Sequence, residues 1–150
     1  MRFAVIHGPN LNLLGSREPE TYGAMTLPDL DASLLLWAQS HSVTLTTFQS
    51  NFEGELVTFI QSLRSCCDGI VINPAAYTHT SVAIRDALLA VQIPTVEVHI
   101  SNTDARESFR HRSLIADIVV GRIMGLGTHG YSLALTGLLH HVRAQSAAEA

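Results

Sequence analysis

The chain has 150 residues, of which 47% are hydrophobic and 15% charged, a composition typical of one globular domain with a full apolar core. Its formal net charge of -4 and its scattered arginines exclude the basic surface that nucleic acid or an anionic membrane would require. No run of residues approaches the ~20 apolar residues that span a bilayer.

Strands and helices alternate along the chain. Short apolar or β-branched runs predict five strands, at residues 2–6, 43–48, 69–72, 95–98 and 118–120. Leucine and isoleucine at helical spacing predict four helices, at residues 26–40, 54–67, 80–90 and 131–143. This order predicts an α/β fold, a flavodoxin-like, doubly wound, five-stranded parallel sheet of order 2-1-3-4-5, with helices on both faces in three α/β/α layers. We expect residues 1–143 to form a single catalytic domain and residues 144–150 a frayed tail.

The connection after the first strand is unusually long. It covers residues 7–23, HGPNLNLLGSREPETYG, whereas a strand-to-helix connection usually takes about 2–6 residues. Three leucines argue against a solvated linker, and the polar side chains include Asn10, Arg17 and Tyr22. A loop of this length and composition predicts a binding loop or a lid.

Polar residues also follow the other predicted strands. Asn73 and His79 come after the third strand, and His99 and Ser101 after the fourth. Ligands of such sheets bind outside the carboxyl ends of the strands. The sequence therefore predicts one functional site at this edge, built from several loops.

Several kinds of site are disfavoured. Histidines occur without HExxH spacing or a cysteine pair, so a zinc site is not indicated, and the phosphate-loop pattern GxxxxGK[ST] is absent. Two alternatives to an enzyme stay open on the residues alone: a non-catalytic binding or scaffold domain, and a flavin-binding electron carrier. The first predicts no turnover, and the second predicts a coloured protein.

The remaining chemistry is acid–base chemistry. Tyr22 is a candidate base, since the guanidinium of Arg17 in the same loop would favour its phenolate form. His99 is a candidate general acid, and Glu97, two residues earlier, lies on the same face of that strand. Other side chains of these loops could bind a ligand. Asn10, Asn73 and His79 could form neutral hydrogen bonds with hydroxyls or an enolate, and Arg106 and Arg110 could bind a carboxylate.

Four ordered motifs point to one family. They are GPNLNLLGSREPETYG, QSNFEGELV, INPAAYTHTSVAIRDAL, and EVHISN with RESFRHRS after it. Together they make the sequence resemble the type II 3-dehydroquinate dehydratases over essentially the whole chain except the tail. The resemblance implies a flavodoxin-like hydro-lyase that assembles as a homododecamer, a tetramer of trimers. It implies anti elimination of water from 3-dehydroquinate through an enolate, giving 3-dehydroshikimate with no metal or cofactor, in aromatic biosynthesis or quinate breakdown.

The resemblance also implies residue roles. Tyr22 would be the base, Arg17 would lower its pKa, and His99, oriented by Glu97, would protonate the departing hydroxyl. Asn10 would hold the water that stabilises the enolate. Substrate binding would fall to Asn73, His79, the backbone of Ile100, Ser101, Arg106 and Arg110, with Asp86 offered by a neighbouring subunit.

Three further features of the sequence bear on this resemblance. All of the 9 Lys+Arg residues are arginines, so the chain lacks the Schiff-base lysine of the type I enzymes. Phe52 stands where many relatives carry histidine, and Ala75 where many carry glycine.

Adjacent Cys66 and Cys67 suit neither a disulfide nor a zinc site, and we see no signal peptide, so we expect reduced thiols and a cytoplasmic protein.

Overall fold

The structure is a computed structural model that describes residues 1–16 and 24–149. Within these residues five strands form one parallel sheet, in the order β2-β1-β3-β4-β5. The strands are β1 (Arg2–His7), β2 (Thr44–Gln49), β3 (Gly69–Asn73), β4 (Thr95–His99) and β5 (Gly121–Met124). The predicted flavodoxin-like order is therefore confirmed.

The described part of the chain has four α-helices. They are α1 (Leu27–Ser40), α2 (Glu53–Ser62), α3 (Val82–Val91) and α4 (His129–Glu149). Thr26 caps α1 in a capping box with Asp29, and the Ser81 hydroxyl caps α3 by accepting the Ile84 N–H at 2.9 Å. Helix α2 ends at Ser62, before the predicted end near residue 67, and α4 extends beyond residue 143 to Glu149.

The two faces of the sheet carry two separate apolar cores. Phe3 and Val5 of β1 face α1 and α4, whereas Ala4 and Ile6 face α2 and α3. All four side chains are almost fully buried, as expected for a parallel strand covered on both faces. This alternation fixes the register of β1, because a shift by one residue would exchange the two cores. In the described residues no helix combines the length and hydropathy needed to cross a membrane.

The predicted position of the fifth strand was wrong. Residues 118–120 form a turn, in which the N–H groups of Ile118 and Val119 both donate to the carbonyl of Ile115. Both side chains pack against the core under α2 and α3, so their apolar character serves burial rather than strand pairing. The strand begins at Gly121 and pairs with β4.

Candidate active site

A cavity of about 230 Å³ opens at the carboxyl ends of β1, β3 and β4. Its wall combines apolar side chains, mainly Leu11, Leu13 and Leu14 of the first loop, with polar ones. The predicted site residues that line it are Asn10, Asn73, His79, His99, Ile100, Ser101, Arg106 and Arg110. The loops that the sequence assigns to one edge of the sheet therefore do converge there.

His99 and Glu97 form a buried pair at the floor of this cavity. His99 Nε2 lies 2.6 Å from Glu97 Oε1, with side-chain exposures of 7% and 0%. A carboxylate can only accept, so Nε2 carries the shared proton. Nδ1 is then the ring atom left to exchange a proton with a ligand.

Two further groups hold the carboxylate of Glu97. Ser113 Oγ donates to Oε2 at 2.9 Å, and Arg122 Nε lies 2.9 Å from the same oxygen. Burial by itself raises the pKa of the Glu97 carboxyl. The hydrogen bond and charge of His99, helped by Arg122 and Ser113, outweigh burial and hold that pKa below its ordinary value. Glu97 is therefore ionised at neutral pH.

The first loop is held against the end of β2. Asn10 has left-handed backbone, with φ of 68°, and its N–H donates to Asn51 Oδ1 at 2.9 Å. Gln49 Nε2 donates to that same oxygen and to the Gly8 carbonyl, each at 3.2 Å. A Cβ at Gly8 would overlap with the Pro74 carbonyl, so only glycine allows the loops after β1 and β3 to approach this closely.

His79 is oriented by the opposite side of the cavity. Its Nδ1 lies 2.7 Å from the carbonyl of Arg112, an acceptor, so Nδ1 carries the hydrogen. In the neutral ring Nε2 then has a free lone pair. His79 thus presents an acceptor to the hydroxyl of a ligand.

The two arginines of the cavity share one carboxylate. Arg110 Nε donates to Glu107 Oε2 at 2.8 Å, and Arg106 Nε lies 3.7 Å from that oxygen. The hydrogen bond from its own backbone N–H, followed by that from Arg110, lowers the pKa of the Glu107 carboxyl. A bound carboxylate would compete with Glu107 for Arg110, in a partly exposed setting where each pair contributes little.

Four predicted residues are not among those that line this cavity, and one of them is Glu97, which is fully buried beside His99. Asp86 is exposed on α3 and is not among the described residues that line the cavity. Its neighbour Arg85 makes a bidentate ion pair with Asp117. Arg17 and Tyr22 lie outside the described residues. Among the residues that are described, no cluster of three or more His, Cys, Asp or Glu has the arrangement of a metal site.

The family is decided by comparison with known proteins. The family model described as dehydroquinase class II matches residues 1–139. The chain belongs to the class II dehydroquinases. The resemblance drawn from the four motifs is therefore confirmed, together with the fold.

Its relatives in this class match over most of their length. A 3-dehydroquinate dehydratase of Acaryochloris marina is 57% identical over 142 residues, 95% of each chain. A catabolic 3-dehydroquinase of Aspergillus clavatus is 59% identical over 131 residues, 87% of each chain. The crystal structure of a type II dehydroquinase from Butyrivibrio crossotus superposes with a TM-score of 0.90 at 45% identity, covering 92% of this chain and 97% of the other.

The structure of this class II dehydroquinase, the present protein, also shows site residues that the sequence analysis missed. Ser113 and Arg122 hold Glu97, and Thr103 lines the cavity. Arg122 is the residue of β5 that pairs in register with Glu97 of β4. A correct position for the fifth strand would have revealed it. Ser113 has no comparable signal, because it reaches Glu97 from an irregular segment between β4 and β5.

Proposed function

We propose that this class II dehydroquinase is a 3-dehydroquinate dehydratase, a hydro-lyase that removes water from 3-dehydroquinate to give 3-dehydroshikimate. The observation that carries the proposal is that His99, which lines the cavity, is paired with the buried Glu97. Elimination of water needs a base for the proton next to the carbonyl and an acid for the departing hydroxyl. The ionised Glu97 stabilises a positively charged His99, which would donate its Nδ1 proton to that hydroxyl.

The other roles follow the family pattern. Tyr22 would remove the proton as phenolate, with Arg17 beside it, and the resulting enolate would be held by a water on Asn10. His79 would accept a hydrogen bond from a hydroxyl of the substrate, and the Arg110 guanidinium would bind its carboxylate. Further contacts would come from Asn73, the backbone of Ile100, Ser101 and Arg106, all of which line the cavity.

We further propose the family's homododecamer, with Asp86 supplied to a neighbouring subunit. The exposure of Asp86 on α3, away from its own cavity, supports a role between subunits. A cytoplasmic location is supported by Cys66 and Cys67, which are free thiols. The relatives include both a plainly named dehydratase and a catabolic enzyme, so biosynthetic and catabolic service are both compatible with the same elimination.

The test is an absorbance assay for the conjugated enone product, run on the purified protein with EDTA and no added cofactor. We expect turnover under these conditions. His99→Asn keeps a polar side chain but cannot donate a proton from a charged ring, so kcat should fall by about 10²–10⁴-fold. Tyr22→Phe should lower kcat to a similar degree, because it removes the base.

The wild type tests the proposed activity, and each variant tests the role proposed for one residue. A wild-type protein that binds 3-dehydroquinate without converting it would contradict the proposed activity. A variant that turns over at the wild-type rate would remove the role assigned to that residue alone. Loss of activity only in EDTA would show that a metal is required.

A further inference from the structure

A chain of hydrogen-bonded side chains leads from the cavity through the apolar core under α1 and α4 to the half-buried Asp31. Asn73, at the end of β3, contacts Tyr131 of α4, with 3.0 Å between Asn73 Nδ2 and Tyr131 Oη. Tyr131 Oη lies 3.2 Å from His7 Nδ1, and His7 Nε2 lies 2.9 Å from Oδ1 of Asp31 in α1. Tyr131 and His7 are fully buried. Only the first member, Asn73, lines the cavity.

The orientation of the Asn73 amide is fixed by Ala75, which is not part of this set of hydrogen-bonded side chains. The backbone N–H of Ala75 lies 3.1 Å from Asn73 Oδ1. A backbone N–H can only donate, so the amide atom facing it must be the oxygen. The nitrogen therefore faces Tyr131, and this assignment does not depend on the ring of His7.

The direction of every other hydrogen bond follows from that assignment. Tyr131 Oη accepts an N–H from Asn73, so its own hydrogen is available for His7 Nδ1. Burial raises the pKa of the Tyr131 phenol, which keeps that hydrogen in place. His7 Nδ1 is then an acceptor, and Nε2 carries the hydrogen that Asp31 accepts. All the donors thus point from the cavity towards Asp31.

A reversed chain would leave buried groups unpaired. If His7 carried its hydrogen on Nδ1, Tyr131 Oη would face two donors and its own hydrogen would have no acceptor in this chain of contacts. A flipped Asn73 amide would turn its NH₂ group towards the N–H of Ala75. An unsatisfied buried donor costs about 1–3 kcal/mol, so the forward direction is strongly favoured.

The Ala75 N–H selects which atom of the Asn73 amide turns towards Tyr131. We propose that Tyr131, His7 and Asp31 are positioning residues that fix the angle of this amide, so that an N–H of Nδ2 is directed at the ligand. One hydrogen of Nδ2 is used by Tyr131, and the second is the donor offered to the cavity. The ligand atom that fits there is an oxygen acceptor, a hydroxyl lone pair or a carbonyl. The proposal deepens the proposed function, on which its catalytic consequence rests.

The first experiment determines the direction of these hydrogen bonds and does not depend on catalytic activity. Nitrogen NMR of histidine-labelled protein at neutral pH reports which ring nitrogen carries hydrogen, and His7→Gln identifies the His7 signals by their loss. We expect His7 to be neutral, with hydrogen on Nε2 and a hydrogen-bonded, unprotonated Nδ1. In Tyr131→Phe the Nδ1 signal should shift to that of a free lone pair. A His7 ring with hydrogen on Nδ1, or a charged ring, would overturn the proposal.

The second experiment measures coupling between Tyr131 and Asn73 in the proposed reaction. We expect Tyr131→Phe to lower kcat/KM by about tenfold, the effect of losing one hydrogen bond to the ligand. In an Asn73→Ala background the same substitution should change kcat/KM by less than about twofold, since there is no amide left to orient. Equal losses in both backgrounds would mean that Tyr131 serves only stability, and would reject the positioning role.

Controls keep the result interpretable. Thr136→Val removes the hydrogen bond from Trp37 Nε1, at 3.3 Å, which also joins α1 to α4 but lies outside the chain of contacts. We expect it to lower the melting temperature and leave kcat/KM unchanged. Asp31→Leu, which removes the acceptor of the His7 Nε2–H at similar size, replaces Tyr131→Phe in the cycle if the latter does not fold. A wild-type protein without turnover would refute the proposed function, whereas the NMR result would still decide the direction of the chain.

Discussion

At the scale of single residues, the pair formed by Glu97 and His99 dominates the energetics of the site. The two side chains lie two positions apart on β4, so they share one face of the sheet. Removing one partner from a buried charged pair costs about 3–5 kcal/mol. An exposed pair such as Arg110 with Glu107 contributes far less, because solvent screens it. Glu97 is therefore the residue through which pH should act on stability.

Glu97 makes the free energy of unfolding depend on pH. In the folded protein the pKa of the Glu97 carboxyl lies below its ordinary value of 4.5. The folded protein therefore binds fewer protons than the unfolded chain as the pH falls through this range. The stabilisation is complete above the ordinary pKa and is lost as pH falls through the lower, folded pKa. We expect denaturant titrations to show a steeper loss of stability below pH ~5 in the wild type than in Glu97→Gln.

A graded control is available at Ser113. Its hydroxyl is the weakest of the interactions that lower the pKa of Glu97, so Ser113→Ala should flatten the pH dependence less than Glu97→Gln does. The same slope in the wild type and in Glu97→Gln would show that this carboxyl does not carry the effect.

At the scale of elements, the turn after β3 holds a strained residue. Ala75 has φ of 52°, in the left-handed region that costs a residue with a Cβ about 1–2 kcal/mol. It is also the residue whose N–H fixes the Asn73 amide, so the strain serves the geometry of the cavity. Glycine would adopt this backbone without cost.

Ala75→Gly should therefore stabilise the protein. Relief of the left-handed strain exceeds the greater entropy of glycine in the unfolded chain, and we expect a gain of about 0.5–1 kcal/mol in the free energy of unfolding. Ala76→Gly is the matched control, because Ala76 is exposed, lies in the same turn and has negative φ. It should lose about 0.5–1 kcal/mol. Denaturant unfolding measures both, and a loss at Ala75→Gly as large as that at Ala76→Gly would contradict the strain argument.

At the scale of the whole molecule, the proposed assembly divides one site between two subunits. Asp86→Ala should keep its fold, since the side chain is exposed, and should lose activity by about tenfold or more if it contacts a neighbour's substrate. His99→Asn protein has the complementary defect, because it keeps Asp86 but lacks the acid.

Mixing the two variants tests this arrangement. After joint dissociation and reassembly at equal amounts, half of the subunits keep His99, and half of those receive an intact Asp86. Random mixing in a closed ring should restore about a quarter of the wild-type rate. Activity that stays at the mean of the two parents would show that Asp86 does not act between subunits. Sedimentation of the wild type measures the size of the assembly.

How far the sequence leads can be judged from particular elements. The flavodoxin-like arrangement is favoured by the alternation of the first four apolar runs with helices, since parallel strands need crossovers and crossovers have one hand. The start of α1 near residue 26 is predicted correctly, because the capping box of Thr26 and Asp29 is local chemistry. The contact between Glu97 and His99 follows from the two-residue period of a strand. The fifth strand was misplaced because a β-branched run marks burial as readily as strand pairing.

The sequence by itself therefore determined the fold, the family and the edge of the sheet where the polar residues gather, because these depend on periodicity, chain order and local motifs. Only the tertiary structure decided which groups hold the functional side chains. Arg122 reaches Glu97 because β5 pairs with β4 in that register, and Tyr131 meets His7 across 124 positions of the chain. Such contacts arise from packing between distant segments, and no spacing in the sequence encodes them.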